Sequence, residues 1–340
     1  MRYPSFLKKN GCIKLVAPSF GCTAEPYKSQ LKAAIEKFTN DGYKIIVGEN
    51  VYKDDGIGKS TNPLDCGKEL TTAFSDSESD IVYSVGGGET MCEDLEYVDF
   101  DVIKNSKPKW YLGYSDNTNM TFTLNTLCDT ASIYSPCFPS YGMKEWDKSL
   151  TDTQMILKGE TSEVSGYPMW ELESLKTEDN PFVSYNKTEM TSIQMYNGNS
   201  CQFSGRLIGG CLDCLINLIG TKFDKVDEFN ERYKDDGIIW FLESCDLNMM
   251  GLRRAMWQMK NASWFKYVKG FLIGRPLHYG EEIMGMDRFS AVTGVLKEFS
   301  VPIILDCDIG HLPPMMPIVS GAYADVSFDN GNIKIKYIYK

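Results

Sequence analysis

The feature that most constrains this chain is a rhythm in its first half, where short apolar runs alternate with amphipathic stretches. Ile13–Ala17 reads as a strand, Leu31, Ala34, Ile35 and Phe38 recur at helical spacing, and Lys44–Val47 reads as a strand again. A helix is expected around Cys66–Phe74, a strand at Asp80–Val85 running into Gly86-Gly87-Gly88, and a helix from about Thr90. Then come a strand at Lys109–Gly113, a helix from about Asn117 to Cys128, and a strand at Ala131–Ser135. Parallel strands need helical crossovers and are apolar on both faces, so this succession predicts an α/β parallel sheet of about five strands covered by helices.

Between Ser149 and Asn186 the periodicity weakens, and Gly159, Gly166, Pro168 and Pro181 punctuate the chain. A crossover with a long loop is expected there, and such loops often act as lids or binding loops. Beyond it lie β-rich runs at Thr191–Tyr196, Ile238–Leu242, Gly270–Ile273, Ile303–Asp306, Ala322–Phe328 and Ile333–Tyr339. Helices are expected between them near Cys211–Ile219, Asn248–Asn261 and Asp287–Phe299. The last two runs flank Asp329-Asn330-Gly331-Asn332, a turn signal for a closing hairpin. The resulting organisation is an α/β domain over 1–160, a crossover and loop over 161–190, and a β-rich mixed α/β domain over 191–340.

The bulk properties narrow the partners. A length of 340 residues with 43% hydrophobic content can bury a core of two-domain size. A formal net charge of -11 argues against nucleic acid or an anionic membrane, both of which reward clustered Lys and Arg. No apolar run suits a membrane span or a signal peptide, so a cytoplasmic location is expected. The 11 cysteines suit reduced core thiols. The single C-x-x-C, Cys211 and Cys214, has no second pair or nearby His to complete a zinc site, and neither a metal nor a cofactor is expected. A small molecule or peptide remains as the partner.

Chemistry gathers at a few loops. Leu112-Gly113-Tyr114-Ser115-Asp116-Asn117 stands where a strand ends and a helix begins, a turn that lifts a serine above the sheet edge beside free helix N–H groups. Ser115 or Asp116 could equally be the helix cap. A serine nucleophile needs a base, and the chain has only two histidines, His278 and His311, both in strand-end loops. Glu243 ends the apolar run Ile238–Leu242, where a carboxylate must find a partner; it could orient an imidazole or cap the next helix with Ser244 and Asp246. Asp246, Asp306 and Asp308 are rivals for the orienting role. Gly86-Gly87-Gly88 could bring backbone N–H groups to an anion or oxyanion, or could be only a tight turn. Trp170, in the irregular segment, is a candidate for stacking on a ligand.

These landmarks, in order, resemble the serine peptidases that include the LD-carboxypeptidases of cell-wall recycling and the microcin C self-immunity proteins. The resemblance rests on Val16-Ala17-Pro18-Ser19, Ser84-Val85-Gly86-Gly87-Gly88, Gly113-Tyr114-Ser115-Asp116, Gly209-Gly210, Glu243 and Gly310-His311. It implies a homodimer of two-domain subunits, with a flavodoxin-like first domain carrying the serine. It also implies a Ser115, His311, Glu243 triad, and an oxyanion hole from the N–H groups of Asp116 and of Gly87 or Gly88. Cys211 stands where many relatives have an Asn that lines the substrate pocket. The segment around Trp170 is similar to the extra loop of the microcin-immunity branch, in which a Trp stacks on the nucleotide.

The function so implied is a serine carboxypeptidase that hydrolyses an amide bond, acting on muropeptides as LD-carboxypeptidases do. The alternatives are a microcin-immunity hydrolase of aminoacyl-nucleotide antibiotics, and a non-catalytic nucleotide- or sugar-binding protein. A metal-dependent hydrolase is disfavoured by the two histidines. A carboxypeptidase must bind a terminal carboxylate, for which Arg254 is the first candidate, with Arg253 and Arg275 behind it.

Overall fold

The computed structural model describes residues Met1–Lys340. Strands β1 (Cys12–Val16), β2 (Lys44–Val47), β3 (Ile81–Ser84), β4 (Trp110–Gly113) and β5 (Ser132–Tyr134) pair in parallel in the order 2-1-3-4-5. That is the flavodoxin-like order, in which ligands bind beyond the carboxyl ends of the strands. The first crossover is α1 (Tyr27–Asn40); the second, α2 (Pro63–Ser75), opens with Pro63 in its first turn and the Asn62 side chain accepting the Asp65 N–H. The helix expected from Thr90 is instead a 3-10 helix, Met91–Tyr97, followed by α3 (Phe100–Asn105). Asp99 separates the two because its side chain accepts from Val102 N–H and starts α3 afresh. Helix α4 (Thr118–Cys128) leads to β5. Helix α5 (Lys148–Lys158) was not expected, since its buried face includes Ser149, Thr153 and Gln154 and shows little apolar period. Its ends are nonetheless marked by the Asp147 cap and by left-handed Gly159.

The second sheet is built from β6 (Glu163–Ser165), β9 (Gln194–Met195), β10 (Ser200–Cys211), β11 (Ile238–Glu243), β12 (Val268–Gly274), β13 (Ile303–Cys307), β15 (Tyr323–Asp329) and β16 (Asn332–Ile338). Its order is β6-β16-β15-β10-β11-β12-β13-β9, with β10 to β13 parallel and the flanking strands antiparallel. Helices α6 (Leu212–Leu218), α7 (Val226–Arg232), α8 (Met249–Asn261) and α9 (Arg288–Leu296) join the parallel strands. The hairpin expected at Asp329–Asn332 is present, with Asn330 and Gly331 at positive φ. Strand β10 was missed because Ser, Gln, Gly and Arg break its apolar pattern, whereas the expected Thr191–Tyr196 run shrinks to β9. A separate pair, β7 (Met169–Trp170) with β8 (Glu189–Met190), closes the base of the long loop. No helix is long and apolar enough to cross a membrane.

The sequence boundaries at 160 and 190 do not separate two independent cores. Strand β14 (Ile318–Ser320) returns to the first sheet and pairs antiparallel with β5, while β6 joins the second sheet from inside the expected loop. One hydrophobic core runs through both sheets, from Ile13, Leu112 and Ile133 to Leu207, Phe241, Leu272 and Val326. Smaller cores lie under α2 to α4 and under α6 to α9. The sheets meet where β10 reaches the start of α4, and the Cys211 N–H donates to Thr118 Oγ at 2.9 Å. Gly210 allows this approach, since a Cβ there would lie 2.6 Å from Thr118 Cγ2, while Gly209 lets β10 lie close against β11. The φ of Gly209 is +152°, and a Cβ there would lie 1.7 Å from the Phe241 carbonyl oxygen. Gly209→Ala is therefore expected to cost about 2–3 kcal/mol of stability, by overpacking and strain together. Urea unfolding of the two proteins checks this, and a loss below about 0.5 kcal/mol would contradict it.

Candidate active site

Ser115 sits at the carboxyl end of β4, where the backbone turns sharply into Ser115–Asn117, a single 3-10 turn, and then α4. Its φ is +62°, an uncommon conformation for a residue with a side chain, of the kind that clusters at functional sites. The capping alternative fails here. Neither Ser115 nor Asp116 caps α4, and the buried Asp116 carboxylate instead accepts from Ser19 Oγ at 2.6 Å, Met91 N–H at 2.9 Å and Asn119 Nδ2 at 3.0 Å. Asp116 thus fastens the loops after β1 and β3 to the serine turn.

The parallel strands of the second sheet point their carboxyl ends at the same place. Glu243 is the last residue of β11, and His311 lies in the loop after β13. His311 Nε2 is 2.9 Å from Ser115 Oγ and Nδ1 is 2.8 Å from Glu243 Oε2. Gly310, at φ +107°, lets the loop come this close, since a Cβ would fall 2.6 Å from Glu243 Oε2. The second carboxylate oxygen, Oε1, accepts the Tyr134 hydroxyl at 2.5 Å, and that hydroxyl in turn accepts the Ser115 N–H at 3.0 Å. Burial pushes the Glu243 carboxyl up, but His311 and Tyr134 outweigh it and hold the pKa below the ordinary value. Burial likewise disfavours the charge on His311, yet Glu243 wins and raises its pKa well above that of a free imidazole.

Ser115 and His311 face a cleft with one lobe of about 680 Å³ and an adjoining one of about 240 Å³. Gly87 borders the serine closely, and the N–H groups of Gly87 and Gly88 donate to no acceptor in the protein. The loop over residues 171–188 lines the cleft through Glu171, Ser174, Lys176, Val183, Ser184 and Tyr185 and is fastened in several places. Glu171 N–H donates to the Pro313 carbonyl at 2.7 Å, Lys144 N–H to the Phe182 carbonyl at 2.7 Å, and Lys187 pairs with Asp147 at 2.6 Å.

Several expected site residues lie elsewhere. Trp170 is buried, with its ring against the Arg275 guanidinium at 4.9 Å and the Tyr279 ring at 4.7 Å, so it packs the base of the loop and does not line the cleft. Arg254 is exposed on α8, Arg253 donates to the Ser290 carbonyl, and Arg275 is buried in an ion pair with Asp308 at 2.7 Å. Cys211 is buried, its thiol 3.3 Å from Asp213, and it too is off the cleft wall. His278 lies 3.6 Å from Glu281 on the surface. All the cysteines are free thiols. Conversely, sequence reasoning did not single out Tyr134, Cys245 or Lys176, although the last two line the cleft. Tyr134 looked like one more aromatic of a buried strand.

The sequence matches the N-terminal domain of the LD-carboxypeptidase (S66 peptidase) family over residues 13–135 and its C-terminal domain over residues 204–326. No curated protein matches it. Among solved structures, it is similar to an MccF-like protein from Bacillus anthracis, with 22% identity, a TM-score of 0.83, and coverage of 99% of this chain and 100% of that one. A mutant of the microcin C7 self-immunity protein MccF, in complex with adenosine monophosphate, matches with 21% identity and a TM-score of 0.83 over 99% of this chain and 98% of that one. An MccF-like protein from Streptococcus pneumoniae in complex with AMP gives 22% identity and a TM-score of 0.77 over 97% and 99%. With both halves matched in order, the chain belongs to the LD-carboxypeptidase family of S66 peptidases.

Proposed function

We propose that this protein is a serine hydrolase that cleaves an amide bond in a small peptide-like substrate. The observation that carries this reading is the unbroken chain from Ser115 Oγ through both ring nitrogens of His311 to Glu243, opening on the cleft beside Gly87. His311 Nε2 takes the Ser115 proton as Oγ attacks the carbonyl carbon, and the resulting oxyanion is held by the N–H groups of Gly87 or Gly88 and of Asp116. His311 then gives its proton to the leaving nitrogen as the C–N bond breaks. Water, deprotonated by the same nitrogen, attacks the acyl ester and frees the acid and Ser115. Glu243 orients the ring and stabilises the imidazolium throughout. Tyr134 is a positioning residue, because one hydroxyl holds both the carboxylate and the backbone of the serine.

Carboxypeptidase action on muropeptides is the first substrate reading, supported by family membership. A second is supported by the two-lobed cleft with its fastened loop, and by fold relatives bound to aspartyl sulfamoyl adenosine and glutamyl sulfamoyl guanosine: hydrolysis of an aminoacyl nucleotide. Release of D-alanine from a muropeptide tetrapeptide, measured beside hydrolysis of an aminoacyl nucleotide, separates the two.

Ser115→Ala should keep the wild-type fold and lose turnover by a factor on the order of 10⁴ or more, together with covalent labelling by a fluorophosphonate. Near-normal hydrolysis by that variant would refute the proposed nucleophile. The pH profile tests the rest of the chain. The base acts only when neutral, and Glu243 raises its pKa, so kcat/KM should climb along an acid limb lying above the ordinary imidazole value of 6.5. Glu243→Gln should move that limb to lower pH while cutting the rate by about 10³- to 10⁴-fold. Tyr134→Phe removes a donor that delocalises the carboxylate charge, leaving Glu243 more basic and the imidazolium held harder. Its limb should therefore move to higher pH, with about a tenfold loss of kcat. A Tyr134→Phe enzyme that is merely less stable, with an unmoved limb, would reduce this hydroxyl to a packing role.

A further inference from the structure

The cleft has an electrostatic imbalance. Asp54 and Glu89 line the larger lobe and Glu171 the smaller, and the whole chain carries a formal net charge of -11. Three basic side chains reach the cleft: Lys59, His311 and Lys176. Lys59 is already committed, its ammonium 2.6 Å from Asp94 Oδ1 and 3.2 Å from the Thr90 carbonyl, and His311 is held by Glu243 and Ser115. Lys176 alone has no carboxylate within ion-pair distance and no hydrogen-bond acceptor. Its ammonium rests over the Tyr27 ring, 4.6 Å from the centroid. Glu171 acts on it from beyond ion-pair distance, and one of its oxygens accepts the Asn186 N–H.

Position sharpens the point. Lys176 and His311 both line both lobes, so Lys176 borders the two spaces beside the imidazole. The loop that carries Lys176 is tied to Pro313, two residues beyond His311, and to residues 144–147, so it is presented to the cleft by a braced backbone. Burial lowers the Lys176 pKa, as expected of a partly desolvated cation awaiting a counter-charge. None of the arginines expected to bind a carboxylate reaches this space.

We propose that Lys176 is the specificity residue of this site, its ammonium pairing with a free carboxylate of the substrate. This rests on the hydrolase reading above. The carboxylate has two possible sources on an amide substrate: the terminal carboxylate of a leaving amino acid, or the side-chain carboxylate of an acidic acyl residue. Both give the same ion pair, and they are distinguished by which substrate loses rate.

The test uses two matched pairs of compounds: a muropeptide tetrapeptide and its C-terminal carboxamide, and aspartyl and asparaginyl sulfamoyl adenosine. Lys176→Met should lower kcat/KM by about 10- to 100-fold on the carboxylate member of one pair, mainly through KM, and leave the amide member within about threefold. Lys176→Arg should recover part of the loss, and fluorophosphonate labelling of Ser115 should proceed equally in wild type and Lys176→Met. Loss in the first pair assigns the terminal carboxylate, and loss in the second assigns the acyl side chain. Equal loss on both members of each pair, or no loss on either, overturns the proposal. Should the wild type resist labelling and hydrolyse none of the four, the hydrolase reading fails separately. Calorimetric binding of the same pairs to the wild type and Lys176→Met then decides the role of Lys176, and the absence of a carboxylate preference overturns it.

Discussion

Everything at this site depends on one buried carboxylate. Glu243 ends a strand whose every residue is buried, and a charge there survives only if its oxygens are satisfied. One oxygen takes the His311 ring and the other takes the Tyr134 hydroxyl. Tyr134 belongs to the first sheet and Glu243 to the second, so the contact that neutralises the cost of burial also joins the two halves. The serine turn is attached to the same hydroxyl through its backbone N–H. Removing the acid would leave the imidazole and the phenol without their shared partner and release the hydroxyl that holds the serine turn, and that coupling is why these groups cannot be apportioned one at a time.

The sheets supply the convergence. In each, the parallel strands present their carboxyl ends to the cleft, which is where open α/β sheets place ligands. The first sheet offers the loops after β1, β3 and β4, tied together by Asp116; the second offers the ends of β11 and β13. The close passage of β10 over the start of α4 fixes the distance between them, and a side chain at Gly210 would fill that space.

Much of this was legible in the sequence because it was carried by local signals. The alternation of apolar runs gave the five parallel strands, and the strand-to-helix turn left Ser115 open as nucleophile or helix cap until the family resemblance favoured the first. Scarcity of histidine narrowed the base to His278 or His311. What was hidden depended on partners distant in the chain. β10 has too many polar residues to read as a strand until its neighbours are known, and β14 joins a sheet whose other members end far upstream. Tyr134 is indistinguishable in sequence from a core aromatic, since its role lies in a hydroxyl whose two partners come from different halves. Trp170 and Arg254 have the chemical type that binds a ligand, but neither a loop nor a helix reveals in sequence which way a side chain turns. Trp170 turned toward Arg275 and Arg254 toward solvent, while the cation facing the cleft came from Lys176.

The spacing of Ser115 and His311, 196 residues apart, has a consequence for how the protein is made. On the ribosome the serine turn emerges well before the imidazole that will meet it. The loop bearing the imidazole is followed by β14, whose docking against β5 closes the first sheet from the far side. A nascent chain carries the serine turn without the imidazole. The contact between Ser115 and His311 therefore forms only after the second sheet has been made and has met the first.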